Sequence, residues 1–200
     1  MKTGILGGTF NPIHQGHLIL AENAYAQLKL DKIIFIPSGI SYLKDQKKIV
    51  DSTHRINMVN LAINGNNHFE ASDIEIKREG NTYTYETLEA LKSQNTQNEL
   101  YFIGGADTLF NIDSWKCPDL IFKLCNLVIA PRDFAEGKAI KDKADMLKDK
   151  YNASVIILNS PNIDISSSSL RDRIKKGISV RYYMPDSVNE YIKTNNLYKA

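Results

Sequence analysis

The chain has 200 residues, of which 42% are hydrophobic and 24% are charged, and its formal net charge at pH 7 is +2. This length suits one α/β domain with an ample core, and the proportions are ordinary for a soluble globular protein. A net charge this close to zero argues against nucleic acid as the main partner. No stretch approaches the ~20 apolar residues that a membrane span needs, so we expect no membrane partner either.

The two cysteines, Cys117 and Cys125, form neither a Cys-x-x-Cys motif nor a disulfide framework. Free thiols in a reducing compartment are therefore expected. The chain starts directly in a strand, with no charged or apolar leader before it. Together these features predict a cytoplasmic protein.

The first part of the chain begins with a short apolar strand that ends at a pair of glycines. The apolar residues that follow suit the buried face of a helix: Leu18, Leu20, Ala21, Ala24, Tyr25 and Leu28. Residues 32–37 predict a second, fully buried strand, and Asp51-Ser52-Thr53 offers a cap for the next helix. The predicted buried side of that helix is Ile56, Val59 and Ile63, with Met58 and Ala62 flanking them. Residues 69–76 alternate in part and predict a third strand.

The second part of the chain continues the alternation of strands and helices. Further strands are predicted at residues 100–103, 127–130 and 155–158. Helices are predicted after residues 82–84, after Asp107, over residues 139–150, after the serine run at 166–169 and near the end of the chain. The charged segment at residues 133–150 carries no motif, and a solvated helical face is expected there.

No internal repeat or linker divides this pattern, so residues 1–200 predict a single domain. Alternating strands and helices indicate a doubly wound, mostly parallel sheet with helices on both faces. Ligands of such sheets bind outside the carboxyl ends of the strands. The turns that follow the strands should therefore converge on one crevice.

The turn after the first strand carries the most informative motif. Gly7 and Gly8 lack a β-carbon, so their backbone N–H groups can come close to a bulky anion. His14 and His17 stand three residues apart at the start of the first helix. This spacing places both rings on one face, beside the positive end of the helix dipole. A glycine turn, two imidazoles and a helix N-terminus together predict a phosphate site.

Other interpretations of this stretch are open. Two histidines at this spacing can also bind a metal ion, because neutral imidazole is a common ligand. No Asp or Glu lies close by in the sequence to complete such a site. The pattern G-x-G-x-x-G is absent, which argues against an oxidoreductase.

The sequence resembles the bacterial nicotinate-nucleotide adenylyltransferases, of the nucleotidyltransferase superfamily, over nearly its whole length. The stretches that carry the resemblance are residues 7–18, Thr82-Tyr83-Thr84, Gly105-Ala106-Asp107 with Trp115, residues 165–171 and the tail at 181–185. His-x-Gly-His and Ile-Ser-Ser mark the superfamily, whose sheet is Rossmann-like, and the other stretches narrow it to the nicotinate branch. The implied reaction joins ATP and nicotinate mononucleotide to give nicotinate adenine dinucleotide and pyrophosphate.

The resemblance implies a set of ATP contacts. The ATP-binding residues would be Gly7, Gly8, Thr9, Phe10, His14, His17, Gly105, Asp107, Ile165, Ser166, Ser168 and Arg171. Of these, His14, His17 and Arg171 would be catalytic, with His17 nearest the α-phosphate. Asp107 would accept hydrogen bonds from the ribose hydroxyls. The last ~35 residues would form a helical C-terminal part that completes the phosphate site, because a helix N-terminus rich in hydroxyls favours an anion.

The resemblance also implies an acceptor site. The residues that would bind nicotinate mononucleotide are Lys44, Thr82, Tyr83, Thr84 and Trp115. Lys44 would contact the acceptor phosphate, and backbone N–H groups around Tyr83 and Thr84 would receive the carboxylate. Trp115 would stack on the pyridine ring, where a flat aromatic gains most.

One segment departs from the family pattern. The family commonly has Pro-Pro-His-Lys after the second strand, whereas this chain has Ser41-Tyr42-Leu43-Lys44. A leucine therefore stands where a histidine would donate to the acceptor phosphate. Tyr42 or one of the nearby lysines could supply the missing donor.

The resemblance implies Mg²⁺ as the cofactor, held by phosphates and water with no protein ligands. The expected partners are small molecules, and a homo-oligomer is compatible with the sequence. Two alternatives remain. The chain could be another adenylyltransferase of the same fold, with nicotinamide mononucleotide or pantetheine phosphate as acceptor. It could also be a non-catalytic nucleotide sensor.

Overall fold

The computed structural model describes residues 1–40, 49–131 and 137–199. Its strands are β1 (Lys2–Gly8), β2 (Lys32–Pro37), β3 (Phe69–Ala71), β4 (Glu99–Gly105), β5 (Cys125–Ala130) and β6 (Val155–Ile157). They form one sheet in the order β3-β2-β1-β4-β5-β6, and all five neighbouring pairs are parallel. The doubly wound α/β prediction is confirmed.

Eight helices of the described residues surround the sheet. They are α1 (Gln15–Leu28), α2 (Ser52–Ile63), α3 (Thr84–Gln94), α4 (Ala106–Asn111), α5 (Pro118–Leu124), α6 (Gly137–Tyr151), α7 (Ser167–Lys175) and α8 (Asp186–Thr194). A 3₁₀ turn at Ile112–Ser114 follows α4. In the part of the chain that the structure describes, no helix has both the length and the apolar character needed to cross a membrane.

Helices cover both faces of the sheet because alternate strand residues point to opposite sides. Leu6 of β1 belongs to a core cluster with buried residues of α1, α2, α7 and α8. Its neighbour Ile5 belongs to a second cluster with buried residues of α3, α4, α5 and α6. The strands are therefore buried on both faces, as their continuous apolar sequences require.

The parallel arrangement brings the ends of β1 and β4 to the same edge of the sheet. β1 ends at Gly7-Gly8, and β4 ends at Gly104-Gly105, directly before α4. At Gly104 an added β-carbon would lie 2.5 Å from Oγ1 of Thr108, so the close passage from β4 into α4 requires glycine there. This edge holds the predicted crevice.

The predicted strand at residues 69–76 is wrong beyond Ala71. Its last pair with β2 joins Ala71 to Phe35, and the chain then turns. The Oγ atom of Ser72 accepts a hydrogen bond from the backbone N–H of Ile74 (3.4 Å), and the N–H of Lys77 donates to the carbonyl of Asp73 (2.9 Å). A local bond to a side chain, such as that of Ser72, competes with strand pairing, and the periodicity of the sequence does not reveal it.

Helix α2 is rotated slightly from its predicted orientation. Val59 and Ile63 are buried as predicted, but Ile56 is only half-buried. Met58, predicted to flank the core, is completely buried, and so is nearly all of Arg55. A buried arginine inside a helix was not expected.

The N-cap of α2 gives a prediction on stability. The carboxylate of Asp51 accepts a hydrogen bond from the backbone N–H of Thr53 (2.8 Å), which lowers the pKa of Asp51 below its ordinary value of 3.8. A carboxyl group whose pKa is lower in the folded state stabilises the fold above its unfolded pKa and loses that contribution as pH falls through the folded pKa. We expect Asp51→Ala to lower the free energy of unfolding at pH 7 by about 1 kcal/mol.

Urea unfolding at a series of pH values measures this effect. The difference between the unmodified chain and Asp51→Ala should shrink below pH 3.8. The control is Asp51→Asn, which caps a helix without titrating and should match the unmodified chain at pH 7. A difference that is absent at pH 7, or that stays constant through the acid range, would contradict this role for Asp51.

Candidate active site

The two histidines of the first turn form one unit. His14 is the N-cap of α1 and is 5% exposed, and His17 lies in the first helical turn. Their rings stack with centroids 3.7 Å apart and an angle of 26° between the planes. The backbone N–H of His14 donates to Nδ1 of His17 (3.2 Å). Because Nδ1 of His17 is an acceptor, the hydrogen of the ring is on Nε2, which can donate it to an anion.

The glycine within His-x-Gly-His has a packing reason. A β-carbon added at Gly16 would lie 3.1 Å from both Cε1 and Nδ1 of His14. With a larger residue the His14 ring would therefore have to shift by a few tenths of an ångström. The rings of Phe10 and His17 also meet edge-on, with centroids 5.0 Å apart.

The start of α7 lies directly against this turn. Ser166 is the N-cap of α7, and its Oγ atom accepts a hydrogen bond from the backbone N–H of Ser169 (3.1 Å). Ser167 donates from Oγ to the carbonyl of Pro12 (2.8 Å), and Arg171 donates from Nη1 to the carbonyl of Asn11 (2.8 Å). The serine-rich helix start and the histidine turn, about 155 residues apart in sequence, therefore face one space.

That space is a cavity of about 720 Å³. The predicted site residues that line it are Gly7, Gly8, Thr9, Phe10, His14, His17, Gly105, Asp107, Trp115, Ile165, Ser166, Ser168 and Arg171. All the residues predicted to bind ATP thus meet around one cavity. Four polar residues of the wall were given no role by sequence reasoning. Asn11 and Ser167 lie within the stretches that carry the resemblance, whereas Thr108 and Ser160 lie outside them.

The predicted acceptor site is brought together only in part. Trp115 lines the cavity, whereas Thr82, Tyr83 and Thr84 do not. Thr82 is buried, and its backbone N–H donates to the carbonyl of Ile40 (3.0 Å). Tyr83 precedes α3, and its ring stacks on Tyr85 with centroids 6.1 Å apart. The roles predicted for these three residues stay predictions.

Lys44, with the neighbouring Tyr42 and Leu43, lies outside the described residues. The predicted contact of Lys44 with an acceptor phosphate therefore also stays a prediction. The described chain resumes at Ile49, which lines the cavity.

Helix α6 is linked to the segment that precedes Trp115. The Trp115 ring is half-buried and contacts Phe102 edge-on, with centroids 6.0 Å apart and planes at 85°. Two residues before it, Asp113 forms an ion pair with Lys143 of α6 (2.9 Å), and the two side chains are only 23% and 16% exposed. Helix α6 also buries Ile140 and Leu147. The segment expected to be a solvated face thus supports the wall of the cavity.

The charges around the cavity favour an anionic ligand. Arg171, the two histidines and the N-terminal ends of α1 and α7 all lie at its wall. Among the lining residues that the structure describes, Asp107 alone carries a carboxylate, and its side chain is exposed. No three His, Cys, Asp or Glu side chains of the described residues gather into a group that could hold a metal ion. The site suits phosphate groups that are bound by donors.

Comparison with known proteins agrees with this geometry. The model of the family described as "Cytidylyltransferase-like" matches residues 5–173. A "probable nicotinate-nucleotide adenylyltransferase" of Dehalococcoides mccartyi is 47% identical over 199 residues, which cover 99% of this chain and 97% of the relative. One from Lachnoclostridium phytofermentans is 43% identical over 197 residues, which cover 98% of each chain.

A solved structure shares the fold. Nicotinic acid mononucleotide adenylyltransferase of Plasmodium falciparum, complexed with NaAD, matches 98% of this chain and 97% of its own with a TM-score of 0.81 at 22% identity. The chain belongs to the cytidylyltransferase-like family of nucleotidyltransferases and, within it, to the nicotinate-nucleotide adenylyltransferases. The resemblance found in the sequence is confirmed.

His17 offers the sharpest test of the site. His17 lines the cavity, and the bond from His14 to its Nδ1 leaves the ring hydrogen on Nε2 as a donor. We expect His17→Ala to lower kcat for adenylyl transfer by about 10²-fold, the usual loss when one oriented donor to a transition state is removed. Steady-state kinetics, with the far-ultraviolet circular dichroism of the variant as a check on folding, measure this effect.

His68→Ala is the matched control. His68 is exposed at the amino end of β3, on the opposite edge of the sheet, where its ring stacks on Tyr25. Its removal should leave kcat unchanged. Near-normal turnover by a folded His17→Ala variant would remove His17 from the mechanism.

Proposed function

We propose that this chain transfers the adenylyl group of ATP to nicotinate mononucleotide, with His14, His17 and Arg171 as its catalytic residues. The products are nicotinate adenine dinucleotide and pyrophosphate. The observation that carries the proposal is the meeting of the histidine turn with the start of α7 around one cavity. Membership of the family supplies the nature of the acceptor.

The reaction needs positioning more than acid–base chemistry. A phosphate oxygen of the acceptor attacks the α-phosphorus of ATP and forms the new bond. The bond from the α-phosphorus to the oxygen that bridges to the β-phosphate breaks, and the electron pair leaves with pyrophosphate. Because the attacking oxygen is already anionic, no general base is required. Catalysis then consists of alignment and stabilisation of the charge on the phosphates.

The residues around the turn supply that stabilisation. His17 donates from Nε2 to an oxygen of the α-phosphate, and His14 holds its ring in place. Backbone N–H groups of Gly8, Thr9 and Phe10 support the same region, close to the positive end of the α1 dipole. The negative charge that builds up during transfer is thus met by donors oriented before the reaction.

The start of α7 receives the leaving group. Ser166 and Ser168 line the cavity at the helix N-terminus beside Ile165, and Arg171 follows one turn later. The guanidinium group of Arg171 has five N–H donors, of which one is bonded to Asn11, and this bond fixes its orientation. The family resemblance and this arrangement support the binding of pyrophosphate by α7.

The remaining roles concern the two nucleosides. Asp107, on the first turn of α4, is proposed to accept hydrogen bonds from the adenosine ribose. Trp115 is proposed to stack on the pyridine ring of the acceptor. Backbone N–H groups at the start of α3 would receive its carboxylate, and Lys44 its phosphate.

We infer that Mg²⁺ takes part as the counter-ion of ATP. A cavity with a single carboxylate among its described lining residues does not suit a protein-held Mg²⁺, which prefers several oxygen ligands. The ion would be bound by the phosphates and water, and would neutralise part of the charge that His17 and Arg171 face. The whole chain is proposed to act as one domain in the cytoplasm, its last ~35 residues completing the site, and the free thiols of Cys117 and Cys125 agree with that compartment.

An acceptor assay tests the proposal. Pyrophosphate release is measured with ATP and Mg²⁺ in the presence of nicotinate mononucleotide, nicotinamide mononucleotide or phosphopantetheine, and the product is identified by mass. We expect release to be fastest with nicotinate mononucleotide and to stop without an acceptor. Faster release with another acceptor would show that the proposed acceptor is wrong. Nucleotide binding without turnover of any acceptor would contradict the proposal and favour a sensor.

A further inference from the structure

A buried arginine binds the turn at Thr9–Asn11, which precedes the two histidines. Arg55 of α2 is 4% exposed. It donates from Nη1 to the carbonyl of Thr9 (3.0 Å) and from Nε to the carbonyl of Val50 (3.3 Å). Both of these hydrogen bonds go to backbone carbonyls. A buried guanidinium is costly, so its use on the carbonyls of a turn calls for a reason.

A residue near the end of the described chain binds the same turn through a second hydrogen bond. Tyr198 donates from its hydroxyl to Oδ1 of Asn11 (2.9 Å), an atom that also accepts the backbone N–H of Val50 (3.3 Å). Burial raises the pKa of the Tyr198 hydroxyl, so it remains a donor at neutral pH. Its neighbour Leu197 is buried in the core with α8, which anchors the tail.

The turn needs such support because of its backbone conformation. Phe10 has a φ angle of 48°, in the left-handed region that residues other than glycine keep only when their surroundings hold them there. The carbonyl of Thr9 and the N–H of Phe10 belong to one peptide group and point to opposite sides of it. Because Arg55 binds the carbonyl, the N–H is directed away from Arg55. Thr9 and Phe10 both line the cavity.

We propose that Arg55 and Tyr198 are positioning residues for adenylyl transfer, which hold the turn at Thr9–Asn11 so that the Phe10 N–H and the histidine pair meet the α-phosphate of ATP. Neither side chain lines the cavity in the part of the chain that the structure describes. They act through the turn, in parallel with Arg171, which holds the Asn11 carbonyl. This inference rests on the proposed function.

Two conservative variants test the proposal. Arg55→Lys keeps the charge but cannot reproduce the two-pronged contact with Thr9 and Val50, and we expect kcat to fall about 10-fold, the usual effect of losing one charged hydrogen bond. Tyr198→Phe removes only a hydroxyl, and we expect a fall of about 3-fold. The affinity for a non-hydrolysable ATP analogue should fall with kcat, whereas the KM for nicotinate mononucleotide should stay unchanged.

Each variant has a matched control in the same chain. Arg173 of α7 also donates twice to one backbone carbonyl, that of Ser179 (3.1 and 2.8 Å), but does not line the cavity or contact the turn. Tyr191 of α8 also bonds through its hydroxyl to two side chains, His54 (3.0 Å) and Asn57 (3.1 Å). We expect Arg173→Lys and Tyr191→Phe to leave kcat and analogue affinity unchanged, whatever each does to the melting temperature.

The double variant adds a test of shared action. Since Arg55 and Tyr198 act on one turn, the loss in Arg55→Lys with Tyr198→Phe should be smaller than the product of the single losses. The proposal would be overturned if the test variants kept the kinetic parameters of the unmodified chain. It would also be overturned if the parameters of the control variants fell by as much as those of the test variants. If Arg55→Lys does not fold, Tyr198→Phe against Tyr191→Phe decides it.

Calorimetric titration with the analogue separates this inference from the proposed function. If the unmodified chain binds the analogue but makes no dinucleotide, the proposed acceptor is wrong, and a loss of binding in the two variants still supports the positioning role. If binding is the same in the variants, the positioning role is overturned even when the chain turns over nicotinate mononucleotide. If the unmodified chain does not bind the analogue, both proposals fail.

Discussion

The backbone carbonyls of residues 9, 11 and 12 impose the constraint on which the site depends. They belong to an irregular turn, so neither a sheet ladder nor a helix satisfies them, and buried carbonyls need donors. Arg55 donates to Thr9, Arg171 to Asn11 and Ser167 to Pro12. These donors come from α2 and α7, far apart in the sequence. The hydrogen bonds that satisfy one turn therefore also assemble the cavity.

The fold makes this assembly possible with few special residues. A parallel sheet delivers the ends of β1 and β4 to one edge, where glycines leave room for a ligand close to the backbone. Helices α1 and α7 then begin at that edge and add two positive dipole ends. The same arrangement explains why one carboxylate, Asp107, suffices among the described lining residues. A site that binds a polyanion needs donors more than acids.

The fold and most of the residues that line the cavity could be predicted because each has a local signal. Strands β2, β4 and β5 each contain a continuous apolar run, and His14 and His17 stand at a spacing that is typical of one helix face. Arg55 could not be predicted, since its partners are carbonyls, which no residue type marks in a sequence. The Asp113–Lys143 ion pair could not be predicted either, because the sequence of each segment, taken by itself, is typical of a solvent-exposed surface. The prediction of a strand over residues 69–76 was too long for a similar reason. The hydrogen bond to Ser72 that favours a turn leaves no trace in the alternation of apolar and polar residues.

We propose that one cavity holds the whole triphosphate, with the α-phosphate at the histidine turn and the leaving group at α7. A crystal structure of the chain with a non-hydrolysable ATP analogue would show where the phosphates bind. We expect an α-phosphate oxygen within hydrogen-bond distance of Nε2 of His17, and the β- and γ-phosphates against Ser166, Ser168 and Arg171. Phosphates bound away from both the histidine turn and the start of α7, or contacting only one of them, would contradict it.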